Sequence, residues 1–361
     1  MSFSVNLPIN GVSFGQVSHL LMRGFYNKGI KPNLFPISGK IDIGSFPEDK
    51  QFFDYLAECA SKANREHSRE TPTFKLWHFN QGLETFSKVH NLLTFYELDQ
   101  PTPSEINAAK NADKLFFSSN FTKNIFDQYG VDSTVIPMAF DRFSFKRLNK
   151  QFFSDDRIVF NLCGKFEKRK HHEKIIKAWT KKFGNDKRYY LQCALYNPFI
   201  NEQANKNNFI KSVESKSYAN VQFLGHMPTN ALYNDFLNSS NIVIGMSGGE
   251  GWGLPEFQSI ALGKHGVILN AHAYQEWATK DNSVLIEPSG KTEVYDGIFF
   301  APNQEWNQGN IFDFSDDDFI SGCEEAIKRV EKDRTNSEGL KIQEDFSLEK
   351  TIDKLLPLIS A

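Results

Sequence analysis

Four glycines and one carboxylate fall within six residues of the run MSGGEGWGLPEFQSIALG: Gly248, Gly249, Glu250, Gly251 and Gly253. The preceding NIVIGMS reads as a buried strand and the following LPEFQSIALG as a helix, so the glycines occupy a strand-to-helix turn. Without Cβ atoms the backbone there can approach a ligand closely and present its N–H groups. The positive end of the next helix adds to that, and together they make an anion site. Glu250 would repel a bare phosphate, yet it can accept hydrogen bonds from sugar hydroxyls. A polyhydroxylated group attached to a phosphate meets both conditions.

Read as a motif, Glu250, Gly251, Trp252, Gly253, Leu254 and Pro255, with Ala261 and Gly263 further on, resemble the signature of glycosyltransferase family 4, retaining enzymes of GT-B fold. That signature carries a second glutamate eight positions after the first, which binds the donor ribose. Here the position is Gln258, which can still make neutral hydrogen bonds. Glu256 is close by, but on a helix it is turned by about 200° from Gln258. Upstream, FNLCGKFEKRKHHEKIIKAW resembles the family's strand, basic turn and lysine. The resemblance places Lys165 and Lys170 on the donor diphosphate. Fixed cations there stabilise the charge that builds on the β-phosphate as the nucleotide leaves, although lysine at 165 lacks the bidentate fork of an arginine.

The same resemblance implies that His226 and Met227, in VQFLGHMPTNALYNDF, cradle the nucleotide base, with a solvent-facing loop histidine as the alternative. In the first half, NGVSFGQVSHLL resembles the glycine loop that faces the donor, with Gly11 and Gly15 letting it close over the phosphates. Backbone amides of Gly251, Trp252, Gly253 and Leu254 are expected to hold sugar and phosphate. Glu97 and Asp99, at the end of the strand-like TFYELDQP, and His78, after FKLW, are the acceptor-side candidates. A cleft carboxylate can bind or deprotonate an acceptor hydroxyl; for His78 a half-buried structural histidine is the alternative.

The elements that must position these residues alternate strand and helix along the whole chain. FSVNLPI, VSHLLMRGFYNKG and KPNLFPI open a first βαβ unit, continued by a helix near Phe52 and by the strands FKLWHF, NLLTFYE, KLFFSS and STVIPM. After Asp141 the pattern loosens through RFSFKRLNKQFFSDD, and it restarts with RIVFNLCG and HEKIIKAWTKKF. The expected fold is α/β of GT-B type, two Rossmann-like doubly wound domains facing a cleft. Residues 1–150 form the acceptor domain and residues 151–340 the nucleotide-sugar donor domain. A terminal helix in 341–361 packs back toward the first domain.

A chain of 361 residues exceeds what one core supports, and 40% hydrophobic with 24% charged residues is the composition of a globular protein. No apolar run approaches the roughly 20 residues of a membrane span, and MSFSVNLPING lacks secretory zones, so a cytoplasmic location is expected. Cys59, Cys163, Cys193 and Cys323 are too scattered for a zinc or redox motif and read as reduced core thiols. The net charge of −3 argues against a globally polyanion-binding protein, yet Arg157 to Arg188 is strongly basic. Most of that run reads as a solvated helix face.

The function implied by the resemblance is transfer of a hexose, with retention and without a metal, from a UDP-sugar to a hydroxyl of a glycan, lipid-linked sugar or metabolite. No Asp-x-Asp pair is placed to hold a divalent ion. Two alternatives stand beside it. One is a transferase acting on hydroxymethylated pyrimidines in DNA, as in virus-encoded enzymes of the same broad fold, served by the basic run and by Phe14, Trp77 and Tyr96. The other is a non-catalytic nucleotide-sugar-binding protein, which Gln258 favours and the retained Lys165, Lys170 and Glu250 oppose.

Overall fold

The computed structural model describes residues 2–360. The first lobe is built from strands β1 (Ser4–Ile9), β2 (Asn33–Ile41), β3 (Thr73–Leu76), β4 (His90–Thr94), β5 (Lys114–Phe117) and β6 (Thr134–Val135). They pair in parallel in the order β2-β1-β3-β4-β5-β6. Helices α1 (Ser13–Asn27), α2 (Lys50–Glu66), α3 (Pro103–Lys110) and α4 (Asn120–Asp127) connect them. β1, β3 and β4 are buried along their full length, as strands covered by helices on both faces must be. STVIPM supplies only the two residues of β6; Pro137, two residues beyond it, offers no N–H for a longer ladder.

No helix or strand forms between β6 and β7. The second lobe then starts with β7 (Ile158–Gly164), α5 (His172–Phe183), β8 (Tyr189–Leu195), α6 (Glu202–Ser212) and β9 (Val221–Phe223). It continues with α7 (Asn230–Ser239), β10 (Ile242–Gly245), α8 (Leu254–Ala261), β11 (His265–Leu269) and β12 (Val284–Ile286). Its sheet is also six-stranded and parallel, in the order β12-β11-β10-β7-β8-β9.

An antiparallel hairpin that the sequence pattern did not predict, β13 (Gly290–Glu293) with β14 (Asn310–Asp313), then leaves the second lobe and docks on the first. Asp99 accepts from the Asn310 N–H at 2.7 Å and pairs with Lys291 at 2.7 Å. Thr102 and Ser104, at the start of α3, donate to the Glu305 carbonyl and carboxylate. Val294, Phe300 and Ile311 bury against first-lobe residues that include Phe79, Leu92 and Tyr96.

Helices α9 (Asp316–Lys332), α10 (Ser337–Leu340), α11 (Ile342–Asp345) and α12 (Leu348–Ile359) finish the chain. α12 crosses back to α1: a Cβ at Gly24 would collide with Ile352, and Lys28 pairs with Asp353 at 2.7 Å. Ile352, Leu355 and Ile359 are fully buried, each worth about 1.5–3 kcal/mol of apolar burial, so the helix is an integral bridge. All four cysteines are buried and unpaired with one another. Among the described residues, no helix is long and apolar enough to cross a membrane.

Candidate active site

In doubly wound sheets the ligand crevice lies where the strand order reverses, outside the carboxyl ends of the strands. In the first lobe the reversal falls between β1 and β3, and in the second between β7 and β10. The loops leaving those strands carry the predicted residues: Gly11 after β1, Trp77 and His78 after β3, Lys165 to Lys170 after β7, and Gly248 to Gly253 after β10.

The β7 loop turns sharply. Gly164 adopts φ +130°, a 3₁₀ turn spans Lys168–Lys170, and His171 sits in the left-handed region at φ +54° before α5 begins. The turn drives Arg169 and Lys170 inward, leaving them 4% and 8% exposed. Lys170 Nζ donates to Glu250 Oε1, and Arg169 Nη1 lies 3.3 Å from the same oxygen while donating to the Gly249 carbonyl. Arg169 also pairs with Glu167 at 2.6 Å and, across the cleft, with Glu97 at 3.3 Å. Lys165 joins through Glu167 at 3.0 Å. Three cations and three carboxylates thus alternate in one network that links Lys165, Lys170 and the glycine loop.

Burial would raise the Glu250 carboxyl, but the adjacent Lys170 and Arg169 charges hold it down at about 2. Glu97 goes the other way: the packed protein around it, with Glu250 and Glu167 nearby, raises it despite Arg169. Lys165 keeps 33% of its side chain exposed and lies 4.1 Å above the Phe299 ring, making it the most exposed of the three cations. His78 opens onto the cleft beside Phe14, with ring centroids 4.4 Å apart. The surrounding protein and Lys165 hold its imidazole neutral, down at about 4.

Beside this network both lobes enclose a cavity of about 240 Å³. Gly11 lines it from the first lobe, and His226, Met227, Leu254 and Gln258 line it from the second. Its two walls are stitched by Gln16 and Asn230, whose amides exchange hydrogen bonds of 2.8 and 3.0 Å. Gly164 also lines the cavity, and Lys170 Cε is 3.7 Å from where its Cβ would sit, so the lysine stands directly behind a bare glycine wall. A larger cavity, about 630 Å³, opens beyond the 165–171 turn. Every residue lining it belongs to the second lobe, and its lysines are engaged: Lys168 by two carbonyls, Lys174 by Asp313 and Lys177 by Glu173.

Three expected site residues are spent on architecture. Gly15 lies within α1, where a Cβ would strike the Asn10 backbone, so it closes a turn and does not line the cavity. Asp99 is committed to the β13–β14 hairpin, as described above. The Trp252 indole is 2% exposed, packs on Phe257 and Phe346, and leaves only its backbone toward the loop. The glycines also have a structural reason: a Cβ on Gly251 would lie 2.7 Å from Phe95 Cβ, and one on Gly249 would strike the Glu97 carbonyl. Gly253, at φ +80°, starts α8.

Sequence reasoning missed Arg169 and Glu167, hidden in a basic run read as a solvated face, and Tyr196, whose ring lies 5.3 Å from that of His226. The signal available for Arg169 was its place between Lys165 and Lys170 on a turn that must reverse direction before a helix.

No family model matches the sequence, and no curated protein matches it. Solved structures do resemble it over nearly their whole length. Sucrose-phosphate synthase from Thermosynechococcus elongatus aligns with a TM-score of 0.66 at 12% identity, covering 99% of this chain and 98% of that one. Trehalose 6-phosphate synthase from Burkholderia multivorans gives 0.63 at 10% identity, covering 99% and 98%. HepE from Anabaena, in complex with UDP-glucose, gives 0.59 at 12% identity, covering 100% and 99%. The chain has the GT-B fold of these glycosyltransferases, two parallel six-stranded lobes facing a shared cleft.

Proposed function

We propose that the protein is a retaining glycosyltransferase that moves a hexose from a nucleotide-diphosphate sugar, with UDP-glucose the first candidate, to a hydroxyl acceptor. The observation that carries this is the two-lobed cavity with Lys170, itself bonded to Glu250, directly behind its Gly164 wall. Tyr196, His226 and Met227 flank the base, and Gln258 faces the ribose from α8. The diphosphate lies along Gly11, Gly164 and Lys165, where Lys165 and Lys170 oppose its charge. Glu250, ionised throughout the neutral range, accepts from the sugar hydroxyls.

In the reaction, the C1–O bond to the β-phosphate breaks while the acceptor oxygen bonds to C1 on the same face. The acceptor proton passes to the departing phosphate oxygen. Developing charge on that oxygen is stabilised by the two lysines. Glu97 and His78 face the acceptor side. The acceptor is a sugar or another small hydroxyl compound. DNA is disfavoured because five cations of the basic run are held by carboxylates: Arg157 pairs with Asp155, Lys174 with Asp313, Lys177 with Glu173, Lys182 with Glu324 and Arg188 with Asp186.

The test is proton NMR of UDP-glucose turnover, following the anomeric configuration of the sugar released to water or to added sugar acceptors. The α-anomer forms first, and Glu250→Ala slows its appearance by about 10²–10³-fold, the scale of one lost transition-state contact, while leaving UDP binding within severalfold. Wild-type turnover in Glu250→Ala, or the β-anomer forming first, contradicts the assignment.

A further inference from the structure

Two loops beside Lys165 hold apolar side chains out in water. Phe199, between β8 and α6, is 68% exposed, and Ile298, in the loop of the β13–β14 hairpin, is 58% exposed. An edge contact between Phe199 and Phe299, ring centroids 4.9 Å apart, joins the loops, and Lys165 Nζ lies over the two rings at 5.7 and 4.1 Å. Neither loop is loose. Asp296 Oδ1 accepts from the backbone N–H groups of Ile298, Phe299 and Phe300 at 2.9, 2.9 and 3.0 Å, and Asn197 Oδ1 accepts from that of Phe199 at 3.0 Å. Lys168 donates to the Glu293 and Tyr295 carbonyls. Exposed apolar groups clustered and held in this way mark an interaction site.

The same loops edge the cavity of about 630 Å³ behind the 165–171 turn, which Asn197, Asp296 and Ile298 line on that side. Small-molecule sites occupy about 300–1,000 Å³. Across from the loops stand α5 and α6, through His172, Lys177 and Asn208. Three lysines and four carboxylates on the wall leave no excess of positive charge for a phosphate. What the wall offers is hydrogen-bonding groups of both kinds beside apolar ones. His172 is 3% exposed, its ring lies parallel to that of Phe166 at 5.6 Å, and its Nδ1 is buried without a partner among the described residues. A neutral ligand with many hydroxyls and an apolar C–H face suits such a wall, and a saccharide is that ligand.

The cavity meets the cleft at Lys165. Glu167 lines the cavity and stands 3.0 Å from the lysine, Phe299 lies beneath the same ammonium, and the lysine's charge is felt by His78 across the cleft. We propose that this cavity and its Phe199–Ile298 rim hold the outer residues of an oligosaccharide acceptor whose reactive end lies in the cleft. The inference rests on the donor-site reading above and narrows its acceptor to a chain of sugars. One ring rests its C–H face on Phe199, and the next enters the cavity, where amide and charged side chains take its hydroxyls.

The experiment is saturation-transfer difference NMR of the full chain with maltotriose, cellotriose, chitotriose and mannotriose, titrated to a Kd for wild type, Ile298→Asp and Asn208→Trp. The first substitution puts a charge on the apolar rim and the second fills the cavity; neither position belongs to the donor site. The expected result is that a trisaccharide binds wild type and binds each variant about tenfold more weakly, while the Kd for UDP stays within about twofold in all three proteins. With UDP-glucose the same trisaccharide is elongated, and both variants raise its KM about tenfold with kcat nearly unchanged. No trisaccharide bound by wild type, or equal binding to all three proteins, overturns the inference and leaves the donor site intact. A trisaccharide that binds here without being elongated also overturns it. UDP bound by none of the proteins overturns the donor-site reading instead. Should one variant fail to fold, the other decides.

Discussion

Replacing Arg169 by methionine removes the guanidinium on which three carboxylates converge and keeps much of the side-chain volume. Arg169 is 5% exposed at the side chain, with partners Glu167 and Glu250 at 1% and 6%; only Glu97, at 32%, meets solvent. Breaking a buried ion pair from one side costs about 3–5 kcal/mol, because a buried charge is left uncompensated. At roughly 2–4 °C per kcal/mol for a domain of 150–250 residues, the melting temperature falls by about 6–20 °C.

The sign of the pH dependence separates charge from packing. In Arg169→Met the orphaned carboxylates, with Glu97 already raised in the wild type, bind protons more tightly folded than unfolded. Stability from such a group is fully present below its unfolded value and is lost as pH rises through the folded one. The gap between wild type and variant is therefore small at pH 5 and large at pH 8. The assay is differential scanning fluorimetry across that range. A gap of equal size at both ends refutes the reasoning, since lost packing does not titrate.

Two further outcomes follow from the inter-lobe contacts. Gly251→Ala forces a Cβ to within 2.7 Å of Phe95 Cβ and costs about 1–3 kcal/mol of overpacking; urea unfolding reads it, and a neutral effect contradicts the close approach of the lobes. Asp99→Ala leaves the Asn310 N–H unpaired at a cost of about 1–3 kcal/mol. It speeds proteolysis within residues 294–309 and leaves UDP affinity within about threefold; a large loss of affinity with unchanged proteolysis would return Asp99 to the ligand.

Much of this was legible in the residues because the central strands of both sheets are continuous buried runs and most of the helices carry apolar stripes. HEKIIKAWTKKF is α5 residue for residue, and the strand-helix alternation put the key loops at the C-terminal ends of strands, while the switch point between β7 and β10 emerges only from the sheet order. The β13–β14 hairpin was not legible: GKTE and NIFD are short and carry no apolar run or clear alternation, their pairing bridges a 16-residue gap, and what holds the hairpin is the first lobe. α6 escaped for a related reason, since EQANKNNFIKS is polar nearly all round. At the site, the family resemblance singled out Lys165, Lys170 and Glu250, which the fold joins in one network, but it could not reveal that Arg169 bridges the lobes, because that depends on the left-handed turn at His171. Spacing alone also could not tell glycines that face a ligand from those that let Phe95 and Glu97 pack close.

The account turns on a nucleotide diphosphate meeting Lys165 at the mouth of the two-lobed cavity. Calorimetric titration of UDP into wild type and Lys165→Ala at pH 7 reads this directly. One UDP should bind per wild-type chain, and truncating the partly exposed lysine should weaken it at least tenfold, as expected for a charge-assisted phosphate contact of about 1.5–3 kcal/mol. Equal affinity in the two proteins, or no binding to wild type, would contradict the account.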